Sequence, residues 1–265
     1  MKRFVQLTLA LLIFIVFGCA MTTHAQTSGS YTVYLPFVAP PLRVLWTEFC
    51  DPRTDPDVCG YSDTAILKEF YATLNSIPAT IDYTMPQSLE QLRHYDIVIA
   101  NYCSGLYMSN GTALLSEYLS QGGSIMVLAD NSCIVGVDSQ GYVSSARAAN
   151  ALTSSRGISF AMYDVSDIRS SNQILAHPVT ANVNTIYSYQ HAYLQVNLPA
   201  TPVVMMDSKP LIGVYDGAGT LVAIPNIGFH WGNSFQQVGE SDNFVFWRNA
   251  LLWLAMKSHL KQINR

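Results

Sequence analysis

The sequence predicts an α/β fold, a doubly wound and mostly parallel sheet followed by a β-rich second half. Three observations carry this. Short apolar runs alternate with helix-period segments through the first half of the chain. Two of those runs, "DIVIAN" (96–101) and "SIMVLA" (124–129), are apolar almost throughout, which suits strands covered on both faces. Further on, "DGAG" (216–219) separates two apolar runs as a hairpin turn.

The elements follow in order. "RVLW" (43–46) is a short β run, and Ser62 can cap a helix whose Ile66, Leu67, Phe70, Leu74 and Ile77 recur on one face. "ATIDYT" (79–84) is the next strand, followed by a brief helix opened by Pro86 and bearing Leu89 and Leu92. After "DIVIAN", a helix from about 112 to 121 stops at Gly122-Gly123, where glycine takes a left-handed cap without a Cβ penalty. "SIMVLA" then ends at "DNSC", with a loop expected behind Cys133. A helix beyond Ser144 leads to the strand "ISFAMY". The runs "NTIYSY", "AYLQV", "PVVMMD", "PLIGVYD" and "TLVAIPN" are short strands. A closing helix from about 241 to 256 presents Phe244, Trp247, Leu251 and Leu254 as a core-facing stripe. Strand and helix in this rhythm imply right-handed crossovers and a parallel sheet.

Composition bounds the class. Of 265 residues 49% are apolar and only 12% charged, so a sizeable core is available. A formal net charge of −4 argues against nucleic acid as a partner. The first residues, "MKRFVQLTLALLIFIVFGCAMTTHAQ", join a basic start to an apolar run and then to small residues, the pattern of a secretory leader. Two processing routes are open: cleavage after "THA", making residues 1–25 a signal peptide, or acylation of Cys19 in the lipoprotein-like "VFGC". An uncleaved leader would also tie the chain to a membrane. Residues 26–41, rich in small polar residues and proline, form a linker; residues 42–258 form one domain; residues 259–265 form a tail. The expected location is extracytoplasmic, at the cell surface or secreted.

Either route leaves Cys50, Cys59, Cys103 and Cys133 where disulfides persist. Three strand ends carry a cysteine to one rim, in "TEFC", "NYCSG" and "DNSC". If the strands before Cys103 and Cys133 are adjacent, their spacing of about 4.8 Å permits a bridge. Cys50 and Cys59 would then close the loop "DPRTDPDV"; the rival pairs Cys50 with Cys103 or Cys133.

The order "YDIVIAN", "LLSEYLSQGGSIMVLAD", "ANALTSSRGISF", "LAHPVTANVNTI" and "TLVAIPNIGFHWGNSF…DNFVFWRNALLWLA" resembles the class I glutamine amidotransferase-like superfamily, nearest to extracytoplasmic members and the trehalose-utilisation-type branch. The resemblance covers nearly all of residues 42–257 and implies a flavodoxin-like fold. Amidotransferases of that superfamily use a cysteine on a strand-to-helix elbow, a histidine after a late strand and an acid two residues further on. By position Cys133 and His230 approximate the first two, but Gly232 stands where the acid belongs, leaving Asp242 or Glu240 as substitutes. The triad therefore reads as degenerate. A bridged Cys133 could not supply the thiolate that nucleophilic attack needs.

Other polar residues at the strand ends are candidates for ligand contact. Glu48, Asn101, Asp130, Asn131 and His230 outline a cleft, and Trp231 beside His230 can stack on a sugar. His177 in "AHPVT" fixes a turn, His191 follows two tyrosines at a core edge, and "YSYQHAY" reads as a packed strand face. No metal spacing and no phosphate loop occurs, so neither metal nor cofactor is expected. The expectation is a non-catalytic domain that binds a small polar or carbohydrate ligand. The alternatives are a cysteine hydrolase using Cys133, His230 and Asp242, or a structural part of an envelope complex.

Overall fold

The computed structural model describes residues 41–47, 76–104, 110–129, 133–139, 141–163, 165–225 and 242–263. The chain divides into the units Met1–Tyr34 and Leu35–Arg265, and the described residues all belong to the second. The leader, the linker up to residue 40, the expected helix as far as residue 75 and the loop between Cys50 and Cys59 lie outside them; Ile77, expected on that helix's face, is described and lies buried in a bend.

The architecture is α/β, with a large mixed and mostly parallel sheet. Strands β1 (Leu42–Trp46), β2 (Ala79–Tyr83), β3 (Ile97–Asn101), β4 (Ser124–Leu128) and β14 (Thr220–Ile224) run parallel. The sheet continues antiparallel through β13 (Lys209–Asp216), β12 (Thr201–Met206) and the two-residue β9 (Gln173–Ile174). Among the described residues its eight strands lie in the order β2-β1-β3-β4-β14-β13-β12-β9. The expected turn at 216–219 joins β13 to β14, pairing Asp216 with Thr220.

Alternation along the strands sends side chains to two cores. Val44, Ile97, Ile99, Met126, Leu128, Val222 and Ile224 pack with Phe246, Trp247, Ala250, Leu251 and Leu254 of the last helix, α4 (Asn243–Ile263). Leu45, Val98, Ala100, Ile125, Val127, Leu221 and Ala223 face the other way. They meet α1 (Leu89–Leu92), α2 (Gly111–Ser120) and α3 (Ser145–Thr153) through Leu92, Leu115, Leu119, Ala149 and Leu152. Every residue of β3, β4 and β14 is buried, which accounts for their uninterrupted apolar character.

Local chemistry sets the boundaries. Ser88 and Ser144 accept hydrogen bonds from Gln91 N and Arg147 N and cap α1 and α3. At the end of α2, Gly122 (φ 94°) donates to Leu119 O and Gly123 donates to Tyr118 O, the two bonds of a Schellman cap. A Cβ on Gly123 would also run into the Tyr118 ring.

The structure departs from expectation in four places. Cys133 is followed by a strand and not by a loop: β5 (Ile134–Asp138) pairs antiparallel with β6 (Gly141–Ser144). "ISFAMY" shortens to β7 (Ile158–Phe160), which leaves the main sheet and pairs with β11 (Leu194–Val196). β8 (Val165–Ser171), polar and without a clear period, was not expected; it pairs with β10 (Ile186–His191). Helix α4 continues beyond residue 256 to Ile263, because "KSHLKQI" contains no breaker. No helix among the described residues is long and apolar enough to cross a membrane.

Candidate functional site

Strand β1 has β2 on one side and β3 on the other, so the order in which strands are added reverses between β1 and β3. In parallel α/β sheets the carboxyl ends of strands at such a switch point flank the ligand crevice. Here that position holds Thr47 after β1 and Asn101 at the end of β3. Both are buried, and they are joined: Asn101 N–H donates to Thr47 Oγ1 at 2.9 Å, and Thr47 N–H donates to Ile99 O at 3.0 Å. Asn101 Oδ1 accepts from Cys103 N–H at 3.1 Å, an Asx turn that bends the chain as it leaves the sheet. Tyr102 points inward, wholly buried beside Thr112. Burial holds its phenol well above the ordinary range.

Cys103 is bonded to Cys133, with Cα atoms 5.8 Å apart. The bridge is possible because β3 and β4 are neighbours in register, Asn101 opposite Leu128, and both chains emerge at the same rim. A sulfur in a disulfide has no thiolate form, so Cys133 in this state is not a nucleophile. Directly behind it the β5–β6 hairpin stands out from the rim, exposing Ile134 (55%), Val137 (70%) and Tyr142 (76%). Arg147 of α3 anchors the hairpin: its guanidinium pairs with Asp138 at 2.7 Å and donates to Tyr142 O at 3.3 Å.

Of the other expected site residues, Glu48, Asp130, Asn131, His230, Trp231 and Glu240 lie outside the described residues, as do Cys50 and Cys59. Asp242 is described and has backbone partners. Its Oδ2 accepts from Asn184 N–H at 2.7 Å and Thr185 N–H at 3.0 Å, and its carbonyl accepts from Phe246 N–H, opening α4. His177 fixes its turn: Nδ1 accepts from Val179 N–H, Thr180 Oγ1 accepts from His177 N–H, and the ring lies edge-on to Trp253.

A second polar group at the rim escaped sequence reading. Ala192 N–H donates to Pro225 O just past the carboxyl end of β14, which places His191 at this edge. His191 is fully buried, and neither ring nitrogen has a hydrogen-bond partner among the described residues. Burial, helped by the nearby Arg169 charge, pushes its pKa down to about 4, so the ring is neutral at pH 7. Its ring meets Tyr193 edge-on at 5.1 Å. Tyr193 donates its hydroxyl to Asp207 Oδ2 at 2.8 Å; burial and that carboxylate push the phenol up to about 12.

Arg169 bridges Asp167 and Asp207. Lys209 follows the turn Asp207-Ser208, whose two left-handed residues (φ 51° and 62°) make a type I′ hairpin. Its ammonium lies 4.8 Å from the Tyr193 ring centre and 5.7 Å from that of Tyr163. The only signal in the sequence was the tyrosine-rich "YSYQHAY", which equally describes a packed strand. Among the described residues no three His, Cys, Asp or Glu side chains gather as a metal site.

No family model and no curated protein matches this sequence. Solved structures do match. A cytoplasmic protein of Salmonella typhimurium LT2 aligns with a TM-score of 0.57 at 14% identity, over 80% of this chain and 99% of its own. A ThuA-like protein from Bacteroides uniformis ATCC 8492 aligns at 0.53 and 13% identity, over 85% and 95%. A GMP synthase-like protein from Thermoplasma acidophilum aligns at 0.50 and 10% identity, over 85% and 98%. At such identities the likeness concerns the fold alone. The chain has the flavodoxin-like α/β fold that ThuA-like and GMP synthase-like proteins share, the amidotransferase-like fold.

Proposed function

We propose that this protein is an exported, non-catalytic domain of amidotransferase-like fold that binds a small polar or carbohydrate ligand at the carboxyl rim of its parallel strands. The observation that carries the reading is the bond between Cys103 and Cys133. It occupies the sulfur that the resemblance would make a nucleophile, and it leaves an edge of the sheet built for shape and polarity. A disulfide is compatible with an extracytoplasmic location, where the leader at residues 1–25, or an acylated Cys19, would deliver residues 42–258 as one domain. Glu48, Asn101, Asp130, Asn131 and His230 are the proposed polar contacts, with Trp231 as a stacking face.

Two measurements on the purified, unreduced protein test this. Thiol titration should find no cysteine that reacts quickly with iodoacetamide, and a glycan array should return a saccharide that raises the melting temperature. Rapid alkylation of Cys133 would replace this reading with the hydrolase built on Cys133, His230 and Asp242. A silent array with all thiols bridged would leave a structural role in an envelope complex.

A further inference from the structure

We infer that Lys209, seated against the rings of Tyr163 and Tyr193 beside the buried His191, recognises the carboxylate of an acidic saccharide. The inference rests on the saccharide-binding reading above and names the class of sugar. Four observations lead to it.

The first is charge. Lys209 Nζ donates to Tyr163 Oη at 3.4 Å and faces two aromatic rings, but no carboxylate of the described residues lies within ion-pair distance. The carboxylates of this cluster, Asp167 and Asp207, are both engaged by Arg169, and Asp207 also holds the Tyr193 hydroxyl. Aromatic faces keep an ammonium in place without neutralising it, so Lys209 keeps its own charge and N–H donors for an anion although the four charged side chains of the cluster sum to zero.

The second is the ring surface. Tyr163 is 50% exposed and follows the half-exposed Met162, so an apolar face lies open beside the charge. Pairing an aromatic face with a polar group suits a pyranose, whose C–H face stacks while its hydroxyls and carboxylate turn to donors.

The third is His191, in contact with the same Tyr193 ring. A fully buried imidazole with no hydrogen-bond partner among the described residues is costly in a folded core unless a ligand or water completes it.

The fourth is place. β13 runs antiparallel to β14, with Gly213 opposite Ala223, so its first residue, Lys209, lies beyond the carboxyl end of β14. The switch point ends at β3, and β4 and β14 stand between β3 and β13. Three strand spacings, roughly 14 Å, therefore separate the two along one rim. An oligosaccharide of a few rings can reach from one to the other.

The experiment is calorimetric titration of the whole protein with oligogalacturonate and oligoglucuronate and with their neutral counterparts of equal length. It is run on the wild type, Lys209→Gln and Lys209→Arg. The acidic sugars should bind about tenfold more tightly than the neutral ones, as one charge-assisted hydrogen bond would give. Lys209→Gln should erase that preference, and Lys209→Arg should keep it. Circular dichroism melts show that both variants fold. Equal binding of acidic and neutral sugars, or a preference that survives Lys209→Gln, overturns this inference and leaves the saccharide reading standing. Binding of neither class sinks both.

Discussion

Replacing Cys103 and Cys133 together with serine removes a cross-link between residues 30 apart in sequence. In the chain-entropy account the bridge acts on the unfolded chain, and closing a loop of this length is worth about 3 to 4 kcal/mol at 25 °C. For a domain of this size that corresponds to a fall in melting temperature of roughly 10 °C. Urea unfolding followed by tryptophan emission is the direct assay, because Trp46, Trp247 and Trp253 are buried in one core. Two parameters should move together. The midpoint should drop, and the m-value should rise, since an unlinked chain exposes more surface when it unfolds. The single variant Cys103→Ser should in addition leave one titratable thiol, on Cys133. If the double variant keeps both the midpoint and the m-value of the wild type, the cross-link does not constrain the unfolded chain, and the reasoning fails.

Three further outcomes are expected. His191 should make stability depend on pH: with a folded pKa of about 4 and an unfolded value near 6.5, the unfolded chain binds more protons between those limits. Stability should be full above about pH 6.5 and fall by on the order of 3 kcal/mol as pH drops toward 4. His191→Gln should flatten most of that slope, the remainder coming from the half-buried His177, which burial shifts the same way. Thr47→Val keeps the shape but leaves the buried Asn101 N–H without its acceptor; a loss of about 1 to 3 kcal/mol and faster amide exchange at Asn101 should follow, and unchanged exchange would show that the bond is unimportant. Asp242→Ala should cost about 1 to 3 kcal/mol in thermal melts by unpairing the Asn184 and Thr185 N–H groups, with Asp242→Asn recovering most of it; equal melting of all three would remove Asp242 from its place holding residues 184–185 to α4.

Whatever depends on neighbours along the chain was legible in the sequence. The doubly buried strands at 97–101 and 124–128 announce themselves as unbroken apolar runs, since both their faces are covered. The Gly122-Gly123 stop and the 216–219 turn are backbone chemistry that a few residues settle among themselves. Even the Cys103–Cys133 bridge could be anticipated as one option, because each cysteine follows a strand end; choosing it required that β3 and β4 be neighbours.

Contacts across long separations required the tertiary structure. Nothing local says that β14 inserts beside β4, about a hundred residues earlier, or that β7, β8, β10 and β11 leave the main sheet to pair among themselves. The same holds for the rim. His191 with Tyr193, Lys209, and Tyr163 come from three separate segments, and in sequence each reads as an ordinary strand or turn residue. The burial of His191 and the seating of Lys209 on two rings arise only when the segments around β8, β10 and β13 come together. Periodicity and turn propensity are short-range energies written in adjacent residues, whereas desolvation and pairing depend on which distant atoms displace water, and that is a property of the folded chain alone.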